Sequence, residues 1–416
     1  MRPRWMRALG MAVVPALVAL SPIAVHAAAN DLFSPLDKMS VHGSSVSLDP
    51  SFQALADSPA TATLQLVHAN AGVVTEKADT LRLNLGQGLD LVARRLDSKV
   101  TNEGHVIWSG VILNTWTTPF RADKAEFDPA NSILLVRDGD TITGNVHVNA
   151  EWYKIRPLRT GAHAIVLVDP GSMPPDHPAA AYKNLPVIKM PVRPVQVQAD
   201  TPIRVMVHYT PSAASASGNI SSLIDLAVAE SNQGYTNSGV LIDLFLATKA
   251  QVSYTESSSF STDLSRYRGT SDGYMDSIHT TRNSVAADVG VLLINNASSC
   301  GLASSIGSTA STAFATAHWD CATGYYSFAH EIGHLQSARH DPATDPTTTP
   351  YAYGHGYRNG NSWRTIMAYN CTAGCPRLNY WSNPSKLYGG VPMGTSSTSD
   401  NTRVLNNTRG TVSAFR

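Results

Sequence analysis

Residues 328–341 read Phe328-Ala329-His330-Glu331-Ile332-Gly333-His334-Leu335-Gln336-Ser337-Ala338-Arg339-His340-Asp341. Two histidines four apart on a helix project their imidazoles from one face, one turn apart, which is the geometry two ligands of a tetrahedral zinc ion need. Glu331 follows the first of them, where a carboxylate can hold and deprotonate a water. His340 lies six residues past His334 and joins the same centre only if the chain turns sharply out of the helix; should it fall short, Asp341 is the substitute. Three protein ligands leave a fourth position for water, the mark of a catalytic rather than a structural site. The bland alternative is a helix whose histidines are merely solvated or satisfied in the core, and it makes the triple spacing a coincidence.

Upstream of this stretch the pattern alternates between strand and helix. Residues 203–209 alternate as a strand, 221–232 have helical spacing, and 241–247 form a second strand. A helix over 273–285 and a buried strand over 289–294 follow, so an α/β half with a mostly parallel sheet is expected. Beyond residue 340 the chain is rich in Gly, Asn, Pro and Thr and reads as loops. Residues 60–170 read as β-structure, with strand-like runs at 63–67, 106–108, 132–136 and 164–168. Between the two halves stand Pro170, Pro174, Pro175, Pro178, Pro186, Pro191, Pro194 and Pro202. That density blocks helix and central strand alike, so an extended linker over 171–202 is expected to join a β-rich domain (28–170) to a second domain (203–416).

The amino terminus carries Arg2, Arg4 and Arg7, an apolar run over 8–20 and Val25-His26-Ala27. This is the pattern of an export signal over residues 1–27. Export implies an oxidising compartment for Cys300, Cys321, Cys371 and Cys375. Of the three possible pairings, the sequence-local one closes the shortest loops; a Cys₄ zinc site is the rival. Lys+Arg and Asp+Glu both total 31, so the basic excess of a nucleic-acid binder or a membrane-surface binder is missing. No later segment is long and apolar enough to serve as a membrane anchor.

The spacing HExxHxxxxxH with a downstream Ile366-Met367-Ala368-Tyr369 resembles the metzincin zinc endopeptidases. The text around it is similar to the bacterial peptidyl-Asp metalloendopeptidase family. The similarity rests on 330–341, Tyr351-Ala352-Tyr353-Gly354, Arg364-Thr365-Ile366-Met367-Ala368-Tyr369-Asn370-Cys371, Cys375-Pro376-Arg377 and Tyr380-Trp381-Ser382-Asn383-Pro384. The resemblance implies an α+β or α/β metzincin-like catalytic domain. Its parts would be a twisted, mostly parallel sheet with helices, a zinc helix and a loop-rich lower part with a Met-turn, preceded by a β-rich propeptide. It implies one catalytic Zn²⁺ on His330, His334 and His340, Glu331 as general base, and Met367 as a floor beneath the histidines. Tyr369 matches a tyrosine that can hydrogen-bond the oxyanion, and Asp341 is expected to anchor the turn by accepting backbone hydrogen bonds. Ser337 departs from the pattern, standing where the family has a glycine of positive φ.

The implied activity is cleavage of proteins on the amino side of aspartate, with protein or peptide substrates and the chain's own propeptide as inhibitor. Such selectivity needs a buried cation, for which Arg377 and Arg364 are the first candidates, ahead of Arg358 and Arg403. The alternatives are a broad-specificity protease with an apolar pocket, or an inactive adhesin of the same fold. No cysteine precedes residue 300, so latency by thiolate is excluded; Asp176, read as an exposed linker residue, is considered as a carboxylate in its place. Autocleavage is expected in the linker, for instance before Asp200. Calcium binding is left open.

Overall fold

The computed structural model describes residues 31–416 except 37–45, 87, 116–117, 120–126, 195–198 and 373. The expected export signal therefore lies outside the described residues. The first half is a nine-stranded antiparallel sheet. Its strands are β1 (Phe33–Pro35), β2 (Thr61–Ala69), β3 (Thr80–Asn84), β4 (Asp90–Val100), β5 (Val106–Ile112), β6 (Ser132–Asp138), β7 (Thr141–Val148), β8 (Glu151–Pro157) and β9 (His163–Val168). They lie in the order β1-β2-β9-β8-β7-β6-β5-β4-β3.

The second half holds β10 (Thr201–Tyr209), helix α1 (Ile220–Ser238), β11 (Ile242–Gln251), β12 (Val289–Ile294), β13 (Gly301–Ala303) and β14 (Phe314–His318). Helix α2 (Ser327–Leu335) and, near the carboxyl end, helix α3 (Asn401–Val412) follow. The sheet order is β11-β10-β12-β14-β13, parallel throughout except for the edge strand β13. The helix expected over 273–285 is shorter, Ile278–Ser284. Ahead of it the Asp276 carboxylate accepts the Asp272 and Gly273 amides and holds a turn.

Helix α1 is the layer between the two sheets. Asn219 caps its start by accepting the Ser222 amide, and Gly239 ends it at φ 74°, a left-handed conformation that glycine adopts without strain. One face packs on the second sheet and the other on the first. Strand β6 shows how the first sheet supplies two faces, because alternate side chains point opposite ways. Ile133 and Leu135 enter that sheet's own core beside Trp108. Leu134 and Val136, with Ile107, instead meet Leu226 and Ala229 of α1. A larger core then runs through both halves, joining Trp152 and Val166 to Val205, Ile224 and Val291. Polar groups cross the same seam: His105 Nδ1 to Asp225 Oδ2 at 2.5 Å, Asn145 Nδ2 to Glu230 Oε1 at 2.6 Å, and Lys154 Nζ to Asp320 Oδ2 at 2.8 Å.

The proline-rich stretch is not a bare tether. It forms a 3₁₀ turn (Pro170–Ser172) and a short helix (Ala179–Lys183). It also lies along the edge strand of the second sheet. The Cys300 amide donates to Pro175 O at 2.8 Å, Gly301 to Asp176 O at 3.0 Å, and Ile306 to Pro186 O at 2.9 Å.

Candidate metal centre

Helix α2 carries His330, Glu331 and His334, and its carboxyl end makes the sharp turn that brings His340 back. Ala338 N donates to Gly333 O and Ser337 N to His334 O, at 3.0 and 2.9 Å, the paired bonds that close a helix through a left-handed residue. Ser337 is that residue, at φ 76°. The turn thus keeps the glycine conformation without the glycine, at a cost on the order of 1 kcal/mol.

Three ring nitrogens are fixed by backbone carbonyls, which can only accept. His330 Nδ1 donates to Ile366 O at 2.9 Å, His334 Nδ1 to Ala338 O at 2.8 Å, and His177 Nδ1 to Gly301 O at 2.9 Å. Each of these rings, when neutral, therefore presents an unprotonated Nε2. The Nε2 of His177 lies 3.1, 3.1 and 2.8 Å from those of His330, His334 and His340. His340 Nε2 lies 3.2 and 3.1 Å from His330 and His334. Burial holds the last three imidazoles well below the ordinary histidine range, and His177 at about 4. His340 can bring at most one proton on Nε2 to this group, so at least three bare nitrogens converge and repel unless a cation stands among them. A tetrahedral ion with nitrogens at about 2.0–2.1 Å gives edges of about 3.3–3.4 Å, close to these separations, so the donor set fits a zinc-sized ion.

His177 was not anticipated as part of this group. Asp176, its neighbour, is expected from the sequence to be an exposed linker residue, considered as a carboxylate that could face the metal; the structure buries it and turns it to arginines instead. Asp176 is buried, and its Oδ1 accepts from Arg377 Nη2 at 2.7 Å while Oδ2 lies 3.9 Å from Arg364 Nη1. Burial alone would raise its carboxyl, but the two guanidinium groups and His177 hold it below the usual range. Both arginines are themselves buried, stand over the Tyr325 ring at 4.3 and 5.1 Å, and donate to Ala368 O. Arg358 instead lies 3.7 Å from Asp341, and Arg403 covers Tyr353, so neither joins this pocket.

Glu331 lies at the same centre, buried, with its Oε1 3.6 Å from His177 Nδ1. Burial, and then the charge of Asp176, push its carboxyl well above the ordinary range. Room for it comes from Gly301, where a Cβ would stand 2.3 Å from Glu331 Oε1. Beneath the helix, a Cβ on Gly333 would meet the Trp381 ring at 2.6 Å and Met367 Sδ at 3.1 Å, which puts Met367 against α2 at Gly333. The Tyr369 ring is 4.3 Å from that of His340. Asp341 Oδ2 accepts the Tyr369 amide at 3.1 Å and the Thr344 hydroxyl at 2.9 Å, tying the turn after α2 to the Met367 turn. The disulfides are Cys300–Cys321 and Cys371–Cys375, the sequence-local pairing.

A family model of metallo-peptidase family M12 (Reprolysin_5) matches residues 199–382. Similarity to individual proteins runs further. A protein named peptidyl-Asp metalloendopeptidase from Stenotrophomonas maltophilia is 52% identical over 422 residues, covering 99% of both chains. One of the same name from Xanthomonas campestris is 54% identical over 376 residues, covering 88% of this chain and 89% of that one. A third, from Pseudomonas fragi, is 53% identical over 189 residues, or 45% of this chain and all of the other.

Proposed function

The chain belongs to the peptidyl-Asp metalloendopeptidase family and is a metallopeptidase; from that premise we propose a secreted zinc endopeptidase that cuts proteins on the amino side of aspartate. One observation carries the selectivity: a peptide aspartate, Asp176, rests on Arg377 at 2.7 Å, one residue from an imidazole that meets the metal-ligand histidines. A buried guanidinium beside a hydrolytic centre recognises a carboxylate, and it argues against the apolar pocket of a broad-specificity protease.

In this reading His330, His334 and His340 hold the ion. When bound, Zn²⁺ supplies Lewis acidity toward a water and the scissile carbonyl. Glu331 takes the proton of the attacking water and returns it to the leaving amine, a role suited by a carboxyl whose affinity for protons burial has raised. The Tyr369 hydroxyl donates to the oxyanion. Asp341, through the Tyr369 amide, holds the two turns in register. The substrate backbone adds to the edge at β13, where the amides of Cys300 and Gly301 already donate to a peptide segment. Secretion is supported by the residue 1–27 pattern and the two disulfides. Removal of the first half by cleavage before the exposed Asp200 completes the proposal.

The test is digestion of a denatured protein mixture by the processed protein, with and without chelator, reading every new terminus by mass spectrometry. Termini beginning with Asp, lost with chelator and restored by zinc, are expected. Arg377→Ala should lower kcat/KM on Asp-containing peptides by about 10²-fold or more. Unchanged termini in that variant would overturn the pocket.

A further inference from the structure

We propose that residues 174–178 hold the peptidase latent as a reversed peptide: His177 serves as a fourth, removable imidazole at the metal while Asp176 fills the arginine pocket. The proposal rests on the reading of cleavage before aspartate.

Consider first the ligand. His177 lies 153 residues before His330, yet its Nε2 meets the other three at 2.8–3.1 Å. The bond from its Nδ1 to Gly301 O leaves Nε2 no proton to offer, so the ring faces the centre as a donor of an electron pair. That is the position which three protein ligands would leave for water. All four rings are buried, so in this arrangement solvent and substrate are both kept out.

The polarity of the segment comes next. In a chain cut before aspartate, the carbonyl at the metal belongs to the residue preceding that aspartate. Here the residue preceding Asp176 is Pro175, and its carbonyl is turned away to accept the Cys300 amide at 2.8 Å. The group delivered to the metal comes from the residue after the aspartate. The segment therefore satisfies the pocket and the metal together while presenting no scissile bond. Its direction agrees: further on, Val187 pairs with Ile306 in parallel, so the segment keeps company with β13 and the chain that follows it.

Stiffness and a second clasp keep it there. Pro174, Pro175 and Pro178 bracket the pair and restrict φ. The Tyr182 ring stacks on His340 at 4.1 Å, and its hydroxyl donates to Asp345 Oδ2 at 2.7 Å. With no cysteine before residue 300, an imidazole takes the role for which a thiolate was ruled out.

The experiment uses the full chain, kept intact by Glu331→Ala and loaded with zinc. X-ray absorption at the zinc edge is expected to count four imidazoles, falling to three with one oxygen when His177→Ala is added. Three imidazoles in the parent would overturn the proposal. In the otherwise unmodified chain, His177→Ala should process itself faster by on the order of 10-fold or more, whereas His177→Cys should remain latent and show zinc–sulfur scattering. A His177→Cys chain as active as His177→Ala would reduce the contact to packing and overturn it too. The ligand count does not depend on selectivity. Four imidazoles with cuts away from Asp would defeat the aspartate reading and support the ligand; three imidazoles with cuts before Asp would do the reverse.

Discussion

Lys154 and Asp320 offer a direct measure of how firmly the two halves are joined. Lys154 Nζ lies 2.8 Å from Asp320 Oδ2 across the seam, with side chains 2% and 8% exposed. At an effective dielectric near 20, two unit charges at that distance attract by about 6 kcal/mol. Desolvation opposes most of this, so replacing both partners by apolar residues should be nearly neutral, while removing one strands the other. Asp320 is badly placed to be stranded, since its Oδ1 already has no hydrogen-bond partner. Lys154→Met, made in the Glu331→Ala background to prevent self-cleavage, is therefore expected to lower unfolding stability by about 3–5 kcal/mol. Lys154→Met combined with Asp320→Leu should restore it to within about 1 kcal/mol of the parent. Urea unfolding of the four chains gives the cycle. A single-variant cost under about 1 kcal/mol with no coupling would show that the seam does not depend on this pair, and would refute the reasoning.

Three further outcomes are expected. Ser337→Gly should relieve the left-handed strain and remove a buried hydroxyl without a partner, raising stability by about 1 kcal/mol and Tm by roughly 2–4 °C in calorimetry; an unchanged or lower Tm contradicts this. Gly301→Ala puts a methyl 2.3 Å from Glu331 Oε1 and should lower kcat on the order of 10²-fold with metal content intact; wild-type kcat would show that the carboxyl does not work from where it lies. Burial pushes the Glu230 carboxyl up to about 7 from an ordinary 4.5, so its contribution to docking is complete below about pH 4.5 and is lost as pH rises through about 7. Limited proteolysis of the Glu331→Ala chain should separate the halves faster at about pH 8 than at about pH 5, and Glu230→Gln should flatten that difference.

Helix α2 with its two histidines, the Met367 turn and the family were legible because their signals are local: a four-residue helical spacing and short contiguous motifs that position their own residues. The strands at 63–67, 106–108, 132–136 and 164–168 in the first sheet and at 203–209, 241–247 and 289–294 in the second were legible for the same reason, in short alternating or apolar runs; the remaining strands of both sheets were not read. Arg364 and Arg377 were reachable only by analogy, and both lie where a carboxylate is held. What stayed hidden was long-range. His177 between an aspartate and a proline is no motif, and its meaning appears only when residues 153 and 163 positions away close around it. Asp176 looked solvated because its partner Arg377 is 201 residues distant. A usable signal was present: a proline-braced Asp-His pair, ahead of a metal site that needs a cap, in a chain with no early cysteine.

Helix α1 has a consequence for the order of events. Leu226 and Ala229 face Ile107 and Leu134, while Leu223 and Ile224 face the other way, so both apolar faces of this helix are covered and only Thr236, in its last turn, is exposed. It cannot reach its final surroundings until both sheets exist, and the first sheet is complete in sequence before the helix begins. If that sheet is later cut away, the helix keeps a shape whose mould has gone. The shortened enzyme would then persist by the height of its unfolding barrier rather than by the depth of its well, and once melted it would not find its way back.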